Sequence, residues 1–322
     1  MRSHTRDDRR TDPALDDRAP ATASWVAVDI GGTHVTSATV RPDLEITDER
    51  RLPLDAEAPA DELLDAMADA IRVHGALTAP VAMAIPGPFD YRRGIGDFTG
   101  VAKFGALYGV DVRAGLAQRC GREPGFVHFI NDADAFGLGE WAAGAGQRSG
   151  RCIAITLGTG IGSAFVDRGH CVSTGDAVPR DGDIHTVRID GVPLEERVSR
   201  RALRAAYLDR TGHTADVAEI AERARSGEPE ALGVLEAGMR VLARAFAPWC
   251  EAFGAERLVV GGSMVASADL LFPPFRAALA ALLADPPTVA PRLLKGEQAA
   301  LLGAVLGADP AAADRLAGRA PA

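Results

Sequence analysis

The sequence predicts an α/β protein made of two similar halves with a cleft between them. Apolar runs with strand character alternate with segments of helical periodicity, and glycine-rich turns follow strands in both halves. The chain has 322 residues, of which 47% are hydrophobic and 25% are charged, so its composition is that of a globular protein. Because one domain usually takes about 100–200 residues, this length favours two domains.

Net charge and apolar run length exclude several classes of partner, and cysteine usage indicates the compartment. The formal net charge is −9, so no overall positive field favours nucleic acid or an anionic membrane. No uninterrupted apolar run reaches the ~18–20 residues that span a bilayer, and the N-terminus lacks the apolar segment of a signal peptide. The four cysteines form no CxxC pair and no cluster with histidine, which indicates a reducing compartment. We therefore expect a cytoplasmic protein without nucleic-acid or membrane partners.

Residues 1–24 are predicted to form a disordered N-terminal lead. They hold five Arg and five Asp but few large apolar side chains, so burial cannot offset the entropy of ordering them. The lead is also too short, and too poor in apolar residues, for a DNA-binding helix-turn-helix.

The first half has the predicted order β-β-β-α-β. Trp25–Ile30 and Val35–Val40 are strand-like runs joined by a glycine pair, which predicts a hairpin. A third strand is expected near Leu44–Leu52, a helix over Asp61–Gly75 and a buried strand at Val81–Ile85. This order is that of an actin-like, ribonuclease H-type half.

The second half repeats the alternation of strands and helices. Strands are expected at Phe126–Ile130, Cys152–Leu157, Ser163–Val166 and Arg257–Gly262, and helices at Asn131–Ala143, Leu194–Leu208, Thr214–Arg225, Pro229–Phe253, Leu270–Leu283 and Glu297–Leu306. We predict a smaller α/β domain of residues 25–130 plus about 296–322 and a larger α/β domain of residues 131–295.

Three glycine loops are candidates for binding a nucleotide. The first glycine loop is DIGGT, the second is LGTGIG and the third is VVGGS, and each directly follows an apolar strand. Glycines let backbone N–H groups approach a phosphate or a flat ring closely, and Asp29 would face a hydrated Mg²⁺. The candidate ATP ligands are Asp29, Gly31, Gly32, Thr33, Gly158, Thr159, Gly160, Gly261 and Gly262. Each glycine pair taken alone also fits an ordinary tight turn.

A polar pair follows the strand that ends near residue 130. Asn131 stands at a strand end and helix start, where it could simply be an N-cap. Asp132 could act as a general base, because a helix N-terminus favours the ionised carboxylate and a sugar hydroxyl could give it a proton. Asp134 lies on a different face of the predicted helix from Asp132, so support of the helix start is the better interpretation of this residue.

Five ordered motifs resemble those of the ROK family of repressors, unannotated reading frames and sugar kinases. They are DIGGT at 29–33, IPGP at 85–88, NDAD with GLGEW at 131–141, TLGTGIG at 156–162 and ERLVVGGS at 256–263. The resemblance implies an actin-like ATPase fold with a sugar between two domains and the ATP phosphates on the first two glycine loops. It also implies Asp132 as the base, sugar contacts from Gly87 and Asn131, and a homodimer.

The sequence departs from the family pattern in the residues that contact the sugar. Many members have a GExGH segment whose Glu and His bind the sugar, followed by a cysteine-rich zinc loop. Here the corresponding stretch is RDGDIH, so His185 matches the family His and either Asp183 or Asp181 replaces the Glu. The zinc loop is missing, and we expect no bound zinc. His185 could alternatively be a loop histidine satisfied by a neighbour.

Lys103 is a second departure. It lies where many family sugar kinases have an Asn that binds a sugar hydroxyl, and Lys103 and Lys295 are the two lysines among 35 basic residues. Its ammonium could bind acceptor hydroxyls or neutralise phosphate charge. It could equally be a solvated surface side chain.

The leading hypothesis is ATP-dependent phosphorylation of a hydroxyl on a hexose or hexose-like polyol, as in a glucokinase, with ATP and Mg²⁺ as cofactors. Fructose, an amino sugar or a C7-cyclitol of valienone or valiolone type are alternative acceptors, because the sugar-reading residues differ. Polyphosphate is a lesser alternative donor. The competing class is a non-catalytic ROK sugar sensor or regulator, which the short lead and Asp132 oppose.

Overall fold

The computed structural model describes residues 23–75, 78–99, 103–147 and 149–318. The predicted disordered lead, apart from its last two residues, lies outside the described residues. The predicted domain boundaries at residues 130 and 296 stay a prediction.

The N-terminal half contains seven strands and two α-helices within these ranges. In chain order they are β1 Trp25–Ile30, β2 His34–Val40, β3 Ile46–Pro53, α1 Ala60–Arg72, β4 Val81–Ile85, β5 Phe89–Asp90, β6 Ile95–Gly96, α2 Val112–Cys120 and β7 Val127–Asn131. The predicted β-β-β-α-β order is therefore confirmed. Helix α2 was not predicted, because only Val112, Leu116 and Ala117 are buried and the small and charged residues between them leave a weak amphipathic pattern.

The rest of the described chain supplies the remaining elements. They are α3 Asp132–Ala143, β8 Arg151–Leu157, β9 Ile161–Asp167, β10 His170–Cys171, β11 Arg188–Ile189, β12 Val192–Pro193, α4 Glu195–Val198, α5 Arg200–Thr211, α6 Val217–Arg225, α7 Pro229–Phe253, β13 Arg257–Gly261, α8 Ala268–Leu282, β14 Thr288–Pro291, α9 Gln298–Ala308 and α10 Pro310–Ala317. The single helix predicted over Leu194–Leu208 is wrong. It breaks at Ser199, whose hydroxyl accepts the N–H of Ala202 and begins α5.

Two five-stranded sheets in the described chain share one topology. The first sheet has the order β3-β2-β1-β4-β7, and the second has the order β10-β9-β8-β13-β14. In each sheet the central strand pairs antiparallel with the strand that follows it and parallel with the fourth member of the order. The repeated order confirms two ribonuclease H-type halves and hence the predicted fold class.

Helices α3 and α9 pack against each other between the two sheets. Helix α9 covers β1 and β4 of the first sheet, while α3 covers β8 and β9 of the second. Glycines permit the close crossing, since a Cβ at Gly139 would collide with the backbone of Ala299 and a Cβ at Gly303 with the backbone of Ala135. The two sheets are thus joined through a helix pair whose backbones touch.

The remaining helices cover the outer faces. Helix α1 buries Leu63, Leu64, Met67 and Ile71 against the first sheet, as its helical periodicity predicts. Helix α7 forms the centre of a larger apolar core with α5, α6 and α8 on the second sheet.

One segment of the described chain, Ser263–Leu282, is long and apolar enough to cross a membrane by length and composition. Asp269 and Arg276 interrupt its apolar run, and Asp269 pairs with Arg225 at 2.6 Å. Leu271, Phe272 and Phe275 are buried in the core that surrounds α7. The segment therefore packs one face on the apolar core of the second sheet.

Glu140 offers a test of how α3 is attached to the rest of the fold. Its fully buried carboxylate accepts the backbone N–H groups of Ala145 at 2.8 Å and of Leu293 and Leu294 at 3.0 Å. Glu140→Ala leaves three N–H groups without this acceptor, so we expect a loss of about 3 kcal/mol or more in the free energy of unfolding, measured in urea. The control is Glu236→Ala, which removes a half-exposed carboxylate that pairs with Arg240 at 3.2 Å on α7. An equal loss in both variants would contradict this account.

Candidate functional site

The junction between β7 and α3 positions the first polar group. Asn131 caps α3, because its Oδ1 accepts the N–H groups of Ala133 at 2.9 Å and Asp134 at 3.2 Å. Its Nδ2 donates to the hydroxyl of Tyr91 at 2.9 Å. Capping therefore uses only the Oδ1 atom of Asn131, and the Nδ2 group of the same amide has Tyr91 as a second partner.

Gly87 lies beside the same pair. A Cβ at Gly87 would lie 3.2 Å from the Tyr91 hydroxyl and 3.8 Å from Asn131 Nδ2, and the Gly87–Pro88 bond is cis. Tyr91 also donates to the carbonyl of Ile85 at 3.3 Å. The structure thus brings together the two residues that the resemblance assigns to the sugar. Tyr91 was missed because no motif marks it.

Asp132 follows Asn131 and is half-buried at the start of α3. Its Oδ1 accepts the N–H of Ala133 at 2.9 Å. Burial raises the pKa of the Asp132 carboxyl, and this effect exceeds the lowering by the backbone N–H groups; Asp183 raises that pKa further, while Lys103 lowers it. The helix N-terminus alone therefore does not decide its charge, contrary to the simple expectation from sequence.

Further carboxylates surround this residue. Burial raises the pKa of Asp134 to about 7, with added repulsion from Asp183 and Asp132. Burial also raises the pKa of Asp183, while His185, whose Nδ1 is 3.9 Å from Asp183 Oδ1, lowers it. Of the two candidates to replace the family Glu, Asp183 is thus the one that acts on Asp132, whereas the exposed Asp181 pairs with Arg180 at 3.3 Å.

The first glycine loop joins β1 to β2. Asp29 stands opposite Thr36 in the β1–β2 register, so their side chains share the face that α9 covers. Burial, with repulsion from Asp132 and Glu297, raises the pKa of Asp29 to about 8. Gly31 closes the turn by donating its N–H to the carbonyl of His34 at 3.0 Å.

A polar network supports the end of this loop. Thr33 Oγ1 and His34 Nδ1 are 3.1 Å apart, and His34 Nε2 is 3.2 Å from Glu297 Oε1. Arg51 Nη2 lies 3.1 Å from His34 Nδ1. Thr33 is therefore linked to Glu297, which directly precedes α9. Glu297 was missed because it is far from the loop in sequence.

The second and third glycine loops lie side by side at the ends of β8 and β13. The N–H of Gly158 donates to the carbonyl of Gly160 at 3.0 Å, and a Cβ at Gly158 would lie 3.5 Å from Ser263 Oγ. Gly262 has a φ of +86°, and a Cβ there would collide with the backbone of Leu157. Thr159 is exposed at the turn.

Gly261, which precedes Gly262, is also required for the close packing of the third glycine loop. A Cβ at Gly261 would collide with the ring of Phe136 on α3. The glycines at the end of β13 therefore let the third glycine loop lie against both the second glycine loop and α3.

Glu195 is a further carboxylate that sequence reasoning missed. Its Oε2 accepts the N–H of Ile161 at 3.2 Å, and a Cβ at Gly160 would lie 2.7 Å from the same oxygen. The Glu195 carboxylate therefore accepts a backbone N–H of the second glycine loop, the loop that the sequence predicts to bind phosphate. The signal available in the sequence was an acidic pair following the RDGDIH segment, which is too common to be specific.

The donor set around Asp29 fits a hydrated Mg²⁺. Among the described residues no group of three or more His, Cys, Asp or Glu side chains could hold a metal alone. Asp29 nevertheless faces the negative charges of Asp132 and Glu297, and the buried Thr36 Oγ1 opposite it has no hydrogen-bond partner within the described chain. Mg²⁺ commonly takes one or two carboxylates and completes its shell with water and phosphate oxygens. Asp29 is the residue that would hold it.

The chain matches the ROK family over residues 25–309 and belongs to that family. It is 30% identical over 275 residues to the glucokinase of Thermotoga maritima, covering 78% of this chain and 85% of the glucokinase. The ROK hexokinase of Thermus thermophilus has the same fold, with a TM-score of 0.73, 24% identity and coverage of 88% of this chain and 97% of that chain. A ROK family transcriptional regulator, a homologue of the Escherichia coli Mlc protein, superposes with a TM-score of 0.74 at 19% identity, covering 92% and 80% of the two chains.

Metal content tests the expectation that the missing cysteine loop removes zinc. We expect purified protein to carry well below one equivalent of zinc by mass spectrometry of the digested sample, because the cysteine thiolates of a structural site are missing from this stretch. A zinc-spiked sample controls for recovery. A full equivalent that survives dialysis would contradict the expectation.

Proposed function

We propose that this sugar kinase of the ROK family transfers the γ-phosphoryl group of ATP to a hydroxyl of a hexose or hexose-like polyol, with Asp132 as the general base. One observation carries the proposal most directly. Asp132 lies next in the chain to Asn131, which contacts Tyr91 beside Gly87, and it interacts electrostatically with Asp29 and Lys103 at the first glycine loop. A base in this position serves both an acceptor and a phosphate.

The acceptor side is built from neutral polar groups and carboxylates. Gly87 and Asn131 orient the sugar, and the Tyr91 hydroxyl holds the Asn131 amide in place. Asp183, with His185 beside it, supplies further contacts to sugar hydroxyls. Such contacts position the attacking hydroxyl near Asp132, and positioning is a large part of catalysis in phosphoryl transfer.

Asp132 accepts the proton of that hydroxyl as its oxygen attacks the γ-phosphorus. A raised pKa suits the role, since a carboxylate that is more basic than usual accepts a proton more readily. The first and second glycine loops hold the phosphates through backbone N–H groups. When bound near Asp29, Mg²⁺ neutralises phosphate charge.

The nucleotide and the acceptor belong to the cleft between the two halves. The third glycine loop, with Gly261 and Gly262, receives the adenosine part beside the second loop. Closing the halves around both substrates excludes water, which would otherwise compete with the sugar hydroxyl for the phosphoryl group.

We expect the acceptor to be selected by the residues in which this chain departs from its family. A primary hydroxyl of a hexose is the first candidate, and a C7-cyclitol is the alternative because Asp183 stands where many relatives have Glu. A sensor role is opposed by the retention of Asp132 beside Asn131. The homodimer, the cytoplasmic location and polyphosphate as a lesser donor stay predictions.

Replacing the base tests the mechanism. Asp132→Asn keeps the size of the side chain and an oxygen for the Ala133 N–H but loses basicity, so we expect kcat to fall by about 100-fold to 10,000-fold. Affinity for AMPPNP should stay nearly unchanged. The measurement is ADP release with glucose, mannose, fructose, N-acetylglucosamine, N-acetylmannosamine and a C7-cyclitol as acceptors.

Asp134→Asn is the matched control, because this carboxyl is also half-buried in the first turn of α3. We expect it to keep turnover within about tenfold. If Asp132→Asn also retains turnover in that range, Asp132 is not the base. If the wild type binds AMPPNP but phosphorylates no acceptor, the sensor class gains support.

The pH profile provides an independent test. The base works only when ionised, so kcat/KM, which reports the ionisation of the free enzyme, falls as pH drops through the pKa of Asp132. Because burial raises that pKa, we expect the acidic limb to have its midpoint above the ordinary aspartate value of about 3.9. A limb at the ordinary value, or the same limb in the residual activity of Asp132→Asn, would contradict the assignment.

A further inference from the structure

Lys103 lies against the first glycine loop. A Cβ at Gly32 would collide with Lys103 Nζ and would lie 2.8 Å from Cε and 3.1 Å from Cδ of the same side chain. The lysine side chain therefore occupies the space that the missing side chain of Gly32 leaves free. Its ammonium sits at the backbone where the sequence predicts a phosphate.

The backbone that carries Lys103 is anchored on its C-terminal side. Phe104 is 1% exposed and packs on Phe98 with ring centroids 5.5 Å apart. Its N–H donates to the carbonyl of Ala56 at 2.8 Å, and its φ of 60° turns the chain sharply. Lys103 is exposed, yet the turn that presents it is held by the first half of the protein.

Charge around the site favours a role for this cation. The Asp132 carboxyl repels that of Asp29 and is itself repelled by that of Asp183, and Lys103 acts on Asp132 with the opposite sign. A nucleotide triphosphate brings more negative charge into this cleft. During transfer, negative charge is spread over the oxygens of the γ-phosphoryl group. A cation held beside these oxygens stabilises that charge.

The acceptor sugar and the ATP phosphate are the two alternative ligands of Lys103, and each is assigned to different residues. On the sugar side, Asn131 donates to Tyr91, and a Cβ at Gly87 would lie within 4 Å of both, whereas the side chain of Lys103 lies against Gly32 of the first glycine loop. A lysine ammonium is a compact point charge that suits a phosphate oxygen. Lysine is also rare here, with two among 35 basic residues, so this position does not follow the arginine usage of the chain.

We propose that the Lys103 ammonium binds the terminal phosphate of ATP and stabilises the phosphoryl group during transfer, and that it does not select the acceptor. This assignment rests on the proposed function for the transfer step, but the phosphate contact itself is measurable without any acceptor. Lys103 is then a catalytic residue supplied by the turn that follows residue 102.

Nucleotide affinity isolates the contact. With Mg²⁺ present, we expect Lys103→Met to weaken AMPPNP binding by about tenfold or more while leaving ADP binding unchanged, since ADP lacks the phosphate in question. Isothermal titration calorimetry on the full chain measures both constants. Lys103→Arg retains a cation and should recover part of the AMPPNP affinity. Lys295→Met, which removes the other lysine at an exposed position, should change neither constant.

Kinetics separate the phosphate from the acceptor. With the acceptor that the wild type phosphorylates, Lys103→Met should lower kcat by about 100-fold and leave the acceptor KM within about twofold. A raised acceptor KM at unchanged kcat would overturn the proposal in favour of acceptor recognition. Equal AMPPNP affinity in Lys103→Met and wild type would overturn it in favour of a solvated lysine.

The two proposals fail differently. If the wild type phosphorylates no acceptor, the proposed function fails, while the comparison of AMPPNP with ADP still decides whether Lys103 contacts the terminal phosphate. If AMPPNP and ADP affinities fall together in Lys103→Met, the lysine supports the loop as a whole and the terminal-phosphate assignment is wrong.

Discussion

The close crossing of α3 and α9 is the contact on which the rest of the structure depends. Gly139 and Gly303 remove the side chains that would separate the two helix backbones, so the two sheets approach through one shared pair of helices. Asp132 begins α3 and Glu297 directly precedes α9. The packing that joins the halves therefore also sets where Asp132, the proposed base, lies relative to the first glycine loop.

Repulsion among carboxylates is the dominant electrostatic feature of the candidate site. Burial raises the pKa values of Asp29, Asp132, Asp134 and Asp183, and each of these groups raises that of at least one neighbour or is raised by one. Such a cluster is stabilised by cations. The charge pattern is thus consistent with the proposed roles of Mg²⁺ and Lys103 beside Asp132.

Much of the candidate site could be predicted because its residues occur in short local motifs. Asn131 and Asp132 are adjacent, and each glycine loop directly follows a strand, so the end of a strand carries each of these motifs. Tyr91, Glu195 and Glu297 could not be predicted in the same way. Each meets its partner across at least 30 residues of chain, and a single sequence does not show which distant segments touch.

The sequence by itself determined the α/β class, the β-β-β-α-β order that opens the fold and the glycine turns that follow strands, because these follow from hydrophobic periodicity and from the special backbone freedom of glycine. Only the tertiary structure decided in which direction the pKa of Asp132 is shifted. A helix N-terminus by itself favours a lowered pKa, but burial, with a contribution from Asp183, outweighs that effect and raises the pKa of Asp132. Desolvation depends on everything packed around a group, and that surrounding exists only once the chain has folded.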